Sequence, residues 1–114
     1  LFIMGAIITT GDSFSYTVTS EECEEKGHSG GSSELKDGGQ SFVTINGEYI
    51  VCKGASNKAD CPKGDYTMTI NSVPQDYVTI NGVLIAATTS NGTGNSCHSC
   101  RPISASFQSF VVIN

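Results

Sequence analysis

The sequence predicts a small all-β fold of three repeated β-hairpin units, on the evidence of its composition and of an internal repeat. Of its 114 residues, 29 are Thr, Val or Ile and only three are Leu. A high share of β-branched residues favours strands over a helical bundle. Thirteen Gly residues predict many turns and loops. At 11.9 kDa the chain forms one domain with a thin core.

The charge balance argues against a nucleic-acid-binding protein, and the apolar runs argue against a protein with a membrane-spanning helix. Six basic residues stand against 11 acidic ones, giving a net charge of −5. This leaves no basic stripe for nucleic acid. The longest apolar run, Leu1–Ile8, is too short to span a bilayer, and it lacks the features of a secretory signal. Residues 1–4 are set aside as a leader or foreign segment, because Met4 is a candidate natural start.

Two short motifs recur along the chain. The hexapeptide Phe42–Gly47 returns 35 residues later as Tyr77–Gly82, and a third copy, Phe110–Asn114, follows after a further 33 residues. A glycine followed by an apolar stretch and a polar turn begins at Gly5, at Gly47 and at Gly82. Fixed-period similarity indicates repeated structural units. We therefore divide the single domain, 1–114, into units 5–46, 47–81 and 82–114.

Asn-Gly pairs indicate how the units join. Asn46-Gly47 and Asn81-Gly82 each lie between two short β-rich runs. Asn-Gly is the strongest short hairpin signal, since a type I′ turn needs positive φ at both central residues. By the same logic Asn114 and Gly5 are the two halves of a third turn. The first and last strands should therefore pair and close a threefold ring.

A long loop separates the two strands of each unit. In the first unit, Thr19 or Ser20 can cap a single helical turn over Glu21–Glu25, with Gly27 ending it. We interpret the acidic run as a solvated turn rather than a calcium site, because the spacing is not that of an EF-hand loop. In the second unit, Tyr66–Ile70 alternates like a half-buried strand.

Each long loop also carries Cys or His, so threefold symmetry would bring these side chains to one point on the axis. A tetrahedral ion needs four ligands. Cys97 and Cys100 have the spacing of a chelating pair, although a disulfide between them is a competing interpretation. Cys52 is expected to be a buried free thiol on a strand. The predicted ligands of a metal at the apex are His28, Cys61, Cys97 and Cys100, with Cys23 and His98 in reserve.

Taken together, these motifs resemble the PAAR-repeat proteins over residues 5–114. The pattern of an apolar-Gly-Asp stretch, a His-Gly-rich loop, a Val-x-Ile-Asn-Gly strand and a Cys-Pro loop is matched at Thr10–Asp12, His28–Gly31, Val43–Gly47, Cys61–Pro62 and Val78–Gly82. The Pro-Ala-Arg signature after Asn-Gly is absent. The chain is therefore similar to a divergent branch, such as a phage tail protein.

The resemblance implies a function as well as a fold. Such proteins are sharp, pseudo-threefold cones with a zinc or iron ion held by His and Cys near the apex. They cap the trimeric β-helical spike of contractile phage tails and type VI secretion machines, which pierces the bacterial envelope. It implies one monomer per spike trimer, one structural ion, no small-molecule substrate and no enzymatic activity. It also implies synthesis in the bacterial cytoplasm, without a signal peptide, and a location at the virion tail tip or in an assembled injection machine.

Two other classes are weighed against this interpretation. A hydrolase with an open metal site would need a general base, and only Glu22, Glu24 and Glu25 offer one. A metal-stapled binding module of zinc-ribbon type would carry two CxxC knuckles, and this chain has one.

The repeat also places three aromatic residues at equivalent positions near the base of the cone. These are Phe42, Tyr77 and Phe110. Filling the core is the commoner outcome for an aromatic residue on a strand and is the favoured expectation. Contact with the spike is the alternative.

Overall fold

The computed structural model describes residues 5–87, 90–94, 96–103 and 112–113, which include both His and all five Cys. It is nearly all β, which confirms the predicted fold class. The described residues contain twelve strands and one short helix, in the order β1 (Gly5–Ala6), β2 (Ser13–Val18), α1 (Glu21–Glu25), β3 (Gly31–Glu34), β4 (Thr44–Ile45), β5 (Glu48–Tyr49), β6 (Ser56–Ala59), β7 (Tyr66–Ser72), β8 (Thr79–Ile80), β9 (Val83–Leu84), β10 (Asn91–Thr93), β11 (His98–Ile103) and β12 (Val112–Ile113).

Two tight hairpins form where the Asn-Gly pairs predicted them. β4 pairs with β5 and β8 pairs with β9, both antiparallel. Asn46 and Gly47 have φ values of 56° and 84°, and Asn81 and Gly82 have 50° and 81°. Positive φ at both central residues is the requirement of a type I′ turn. The side chain of Asn tolerates this left-handed conformation and Gly adopts it freely.

A third hairpin is formed by the two ends of the chain, because β1 pairs antiparallel with β12. This confirms the predicted pairing of the first and last strands. Its register is one residue off the predicted alignment. Ile113 faces Gly5, whereas Ile45 faces Glu48 in the intact hairpin β4–β5. Gly5 therefore takes the place of Glu48 rather than that of Gly47.

The segments that follow the three hairpins are hydrogen-bonded to one another in a closed ring. The Val51 N–H donates to the Ile8 carbonyl at 2.9 Å, and the Ile8 N–H donates to the Ala86 carbonyl at 3.3 Å. The Ala86 N–H completes the ring by donating to the Val51 carbonyl at 2.9 Å. Isolated antiparallel bridges repeat the same symmetry at Thr9–Ile50, Cys52–Ile85 and Ile7–Ala87. The molecule is thus built around a pseudo-threefold axis.

Side chains of the ring segments alternate between two apolar clusters, as successive residues of extended chain must. Ile8, Val51 and Ala86 belong to the main core, together with buried residues of the larger sheet such as Phe14 and Met68. The flanking ring residues form a second cluster, which we call the base cluster: Ile7, Ile50, Cys52, Ile85 and Ala87. Cys52 is 1% exposed and is not disulfide-bonded, as predicted.

The six longer strands form a nearly closed, barrel-like sheet in the order β3-β2-β11-β10-β7-β6. They come as three antiparallel pairs that are consecutive in sequence: β2–β3, β6–β7 and β10–β11. The edge strands β3 and β6 meet at a seam, where the Asn57 side chain accepts hydrogen bonds from the N–H groups of Lys36 and Asp37. The antiparallel registers put the three loops within these pairs at one edge of the barrel. We call that edge the apex and the end with the hairpins the base.

Glutamine side chains hold the chain that leads into each described Asn-Gly hairpin. Gln40 Nε2 donates to the carbonyls of Val43 and Ile50, and its Oε1 accepts from the N–H groups of Phe42 and Val43. Gln75 makes the same four bonds at the equivalent positions. This role of the glutamines is not among the predictions made from the sequence. The available signal was a Gln two residues before the aromatic of every repeat copy.

The aromatic residues of the repeat lie on the surface at the base. Phe42 is 72% exposed and Tyr77 is 55% exposed. The expectation that they fill the core is therefore wrong for these two, and Phe110 lies outside the described residues. Next to each of these two aromatic residues, Gln40 or Gln75 bonds both the backbone that precedes the hairpin and the backbone that follows it, and the ring lies outside this bonded segment.

Within the described part of the chain, no helix has the length and the apolar character needed to cross a membrane.

Pairing of β1 with β12 predicts that a circular permutant will fold. The termini should be joined by a short linker and the chain opened between Asn81 and Gly82. This exchanges one open hairpin for another at an equivalent position. We expect a cooperative melt within about 10 °C of the parent, followed by circular dichroism. An unfolded permutant would contradict the threefold ring.

Candidate metal centre

Three potential metal ligands meet at the apex, one from each of the three strand pairs. His28 lies in the β2–β3 connection, Cys61 in the β6–β7 loop and His98 at the start of β11. The Cys61 Sγ lies 3.7 Å from His28 Nδ1 and 3.8 Å from His98 Nε2. All three ligand atoms lie within 4.8 Å of one another. Cys61 and His98 are buried and His28 is half-buried.

Helix α1 and its caps place His28. The Ser20 side chain caps the helix by accepting from the Cys23 N–H, and the Gly27 φ of 97° ends it, both as predicted. The His28 N–H then donates to the Cys23 carbonyl at 3.1 Å. The chain is thereby folded back at the helix end, which fixes the backbone from which the imidazole projects.

Aromatic side chains fix the ring of His98. Tyr66 stacks on it with ring centroids 4.8 Å apart, and Tyr16 meets it edge-on at 5.5 Å. The Tyr16 hydroxyl donates to the Asp60 carbonyl, next to Cys61. His98 Nε2 also lies 3.0 Å from the Ser29 carbonyl oxygen, and ligation through Nε2 would replace that hydrogen bond. The imidazole is therefore held toward His28 and Cys61.

A disulfide removes one of the predicted ligands. Cys97 is bonded to Cys23, with their Cα atoms 5.6 Å apart. A disulfide sulfur is not a thiolate, so neither residue can ligate a metal in this form. The pairing also overturns the alternative disulfide between Cys97 and Cys100. Sequence spacing could not reveal the Cys23–Cys97 bond, because it depends on contact between residues 74 positions apart.

Cys100 lies apart from the metal group, inside the barrel. Its side chain is 3% exposed, and its Sγ lies 3.9 Å from the Tyr66 hydroxyl. Burial raises the pKa of the Cys100 thiol, which favours the protonated form over a metal-binding thiolate. The structure thus unites His28 and Cys61 from the predicted set with His98 from the reserve, and leaves Cys97 and Cys100 out.

Strand alternation was the missed signal for His98. β11 begins at His98, so His98 and Cys100 lie on the same face of the strand. Cys97 lies in the turn before the strand, where the alternation that places His98 and Cys100 on the buried face does not extend. Placing the strand start at residue 98 would have selected His98 over Cys97.

The donor set suits a transition metal. One thiolate and two imidazoles are ligands of zinc and of several neighbouring metals. Tetrahedral coordination with ordinary bond lengths separates sulfur and nitrogen ligands by about 3.6 Å, close to the two distances found here. Desolvation, and then the nearby His98, Lys63 and Lys26, lower the pKa of His28. A lowered pKa favours the neutral imidazole, which is the form that binds metals.

Comparisons of the chain with models of protein families, with curated proteins and with solved structures gave no match.

The geometry predicts which substitutions release a metal. Cys61→Ser, His28→Ala and His98→Ala should each reduce bound metal to less than about half an equivalent after dialysis, because each removes one of three ligands. Inductively coupled plasma mass spectrometry measures the content. Cys100→Ser and Cys52→Ser are matched controls that should retain the metal. Loss of metal in Cys100→Ser with retention in His98→Ala would support the sequence-based set instead.

Proposed function

We propose that the protein is a spike-tip protein that caps and sharpens the trimeric β-helical spike of a contractile injection machine. The observation that carries this proposal is the closed pseudo-threefold ring. A trimeric β-helix ends in three equivalent strand edges, which need to be covered. A monomer with threefold internal symmetry can meet all three chains at once. One copy then suffices for one trimer.

The base offers a surface suited to such a partner. Both hairpin regions whose side chains the structure describes expose large apolar residues at equivalent or neighbouring places: Phe42, Val43, Tyr49, Tyr77 and Val83. Apolar side chains gathered at one end of a small protein are typical of an interaction site. Aromatic anchors also contribute strongly to protein interfaces. The base is thus the face that we assign to the spike.

The ion has a structural role in this proposal. His28, Cys61 and His98 would hold zinc or iron, and the ion would cross-link three apex loops that have few apolar side chains of their own. Bound metal would thereby stiffen the end of the molecule that meets the bacterial envelope. No catalytic step is required of it. In the assembled machine the protein would be located at the tip of a phage tail or of a related injection apparatus.

The alternative is a small metal-stapled binding module of zinc-ribbon type. It shares the metal cluster but has no need of a threefold base. Binding to a β-helical trimer would therefore support the spike cap, whereas binding to a partner of another kind would support the binding module. The hydrolase interpretation would additionally require turnover of a substrate at the metal.

Binding to a spike tests the proposal. Mixed with the C-terminal β-helix of its spike, the protein should form a complex of one copy per three spike chains, measured by light scattering after gel filtration. An interface on the order of 1,000–2,000 Å² should keep it intact at micromolar concentration. A ratio of three to three would contradict the one-per-trimer cap, and no complex would favour the binding module.

Matched variants locate the interface. Phe42→Ser and Tyr77→Ser should each weaken spike binding by roughly tenfold or more, because each removes an exposed aromatic anchor. Glu25→Ser, at the exposed end of α1 near the apex, should leave it unchanged.

A further inference from the structure

The Cys23–Cys97 disulfide joins the two segments that carry the histidine ligands. Cys97 directly precedes His98, and the Cys23 carbonyl accepts a hydrogen bond from the His28 N–H. The covalent bond therefore fixes the backbones of two of the three ligands relative to each other. Cys61 reaches the same point from the opposite side, through the β6–β7 loop.

Non-covalent contacts also join these two segments near the apex, among them the 3.0 Å contact of His98 Nε2 with the Ser29 carbonyl oxygen, which ligation through Nε2 would replace. The Thr19 N–H donates to the Cys97 carbonyl at 3.0 Å, and the Thr19 hydroxyl donates to the Ser96 carbonyl at 3.1 Å. Helix α1 has only five residues, and isolated helices shorter than about 12 residues are marginal in water. Four of its five residues are exposed glutamates, and Cys23 is its one buried side chain. The disulfide is thus the covalent link between α1, which leads into His28, and the segment that carries His98.

We propose that the Cys23–Cys97 disulfide is a redox-sensitive clamp that controls how tightly the His28–Cys61–His98 site retains its metal. The inference rests on the proposed function, because it regulates the same ion. A cellular dithiol would reduce the disulfide by two successive exchanges. The two cysteines leave as thiols, and the two sulfurs of the dithiol become a disulfide. The clamp would therefore be closed in oxidising surroundings and open in a reducing cytoplasm.

Metal retention should follow from this geometry. With the bond intact, the histidines are already placed and the ion gains three ligands at little cost in loop ordering. After reduction, α1 and His28 can move away from His98, so metal binding must also order the segment that carries His28. Loss of groups that orient metal ligands typically reduces affinity by 10–100-fold. We expect the zinc release rate to rise by roughly tenfold or more on reduction.

The test compares release from oxidised and reduced wild-type protein. Protein loaded with zinc would be mixed with a chromogenic chelator before and after treatment with a phosphine, which reduces disulfides while water supplies the oxygen of its oxide. Thiol counting confirms the state of Cys23 and Cys97. The double variant Cys23→Ser/Cys97→Ser should release zinc as fast as the reduced protein, with or without phosphine. Cys52→Ser should behave like wild type.

The possible outcomes test the clamp and the metal site separately. Equal release rates in the oxidised and reduced proteins would overturn the clamp and leave the metal site standing. Slower release after reduction would also overturn it, since the freed thiols would then be acting as ligands. If neither the oxidised nor the reduced form bound zinc, iron or another transition metal, the structural ion of the proposed function itself would be overturned. Equal or slower zinc release after reduction would leave the proposed spike binding standing, because spike binding is measured in a separate experiment.

Discussion

The hydrogen bonds among Ile8, Val51 and Ala86 hold together three segments that are far apart in sequence. Each of these residues donates to one neighbour and accepts from the other, so no bond of the ring can be lost without opening it. Their side chains enter the main core, while the residues beside them enter the base cluster. The ring therefore fixes both the base and the start of every strand pair that rises toward the apex.

The threefold geometry of the ring brings three potential metal ligands together at the apex. Each strand pair turns at the same edge of the barrel, so each unit delivers one potential ligand to the apex, either from the connecting loop or, for His98, from the first residue of β11. The three units are not chemically equivalent at the apex. Two ligands are His and one is Cys, and a disulfide joins the first and third units only. Among the described strands, the barrel is open only at the β3–β6 seam. There the hydrogen bonds of the Asn57 side chain take the place of a ladder of backbone bonds.

Short-range chemistry explains what could be predicted from the sequence. Asn46-Gly47 and Asn81-Gly82 specify their turns locally, and Ser20 and Gly27 specify the ends of α1. These signals, together with the repeat, were enough for the fold class and for the pairing of the chain ends. They were not enough for the ligand set. Selecting His98 over Cys97 required the start of β11, and pairing Cys97 with Cys23 required knowing that α1 lies against the turn before β11.

The outward position of Phe42 and Tyr77 shows a similar limit. An aromatic residue on a strand favours burial, but here a Gln two residues earlier, half-buried at Gln40 and buried at Gln75, bonds the backbone around the aromatic residue, whose ring lies on the surface. The exposed aromatics cost apolar burial that a monomer would otherwise gain. Their exposure is the basis for proposing a partner at the base.

Native-state hydrogen exchange of the ring amides tests the threefold closure most directly. The N–H groups of Ile8, Val51 and Ala86 should be among the slowest to exchange, and all three should show the same opening free energy, because none is released without the others. Exchange of the Ile8 amide at the rate of an exposed loop, with Val51 and Ala86 still protected, would contradict the account. It would mean that the first segment is not part of a closed ring.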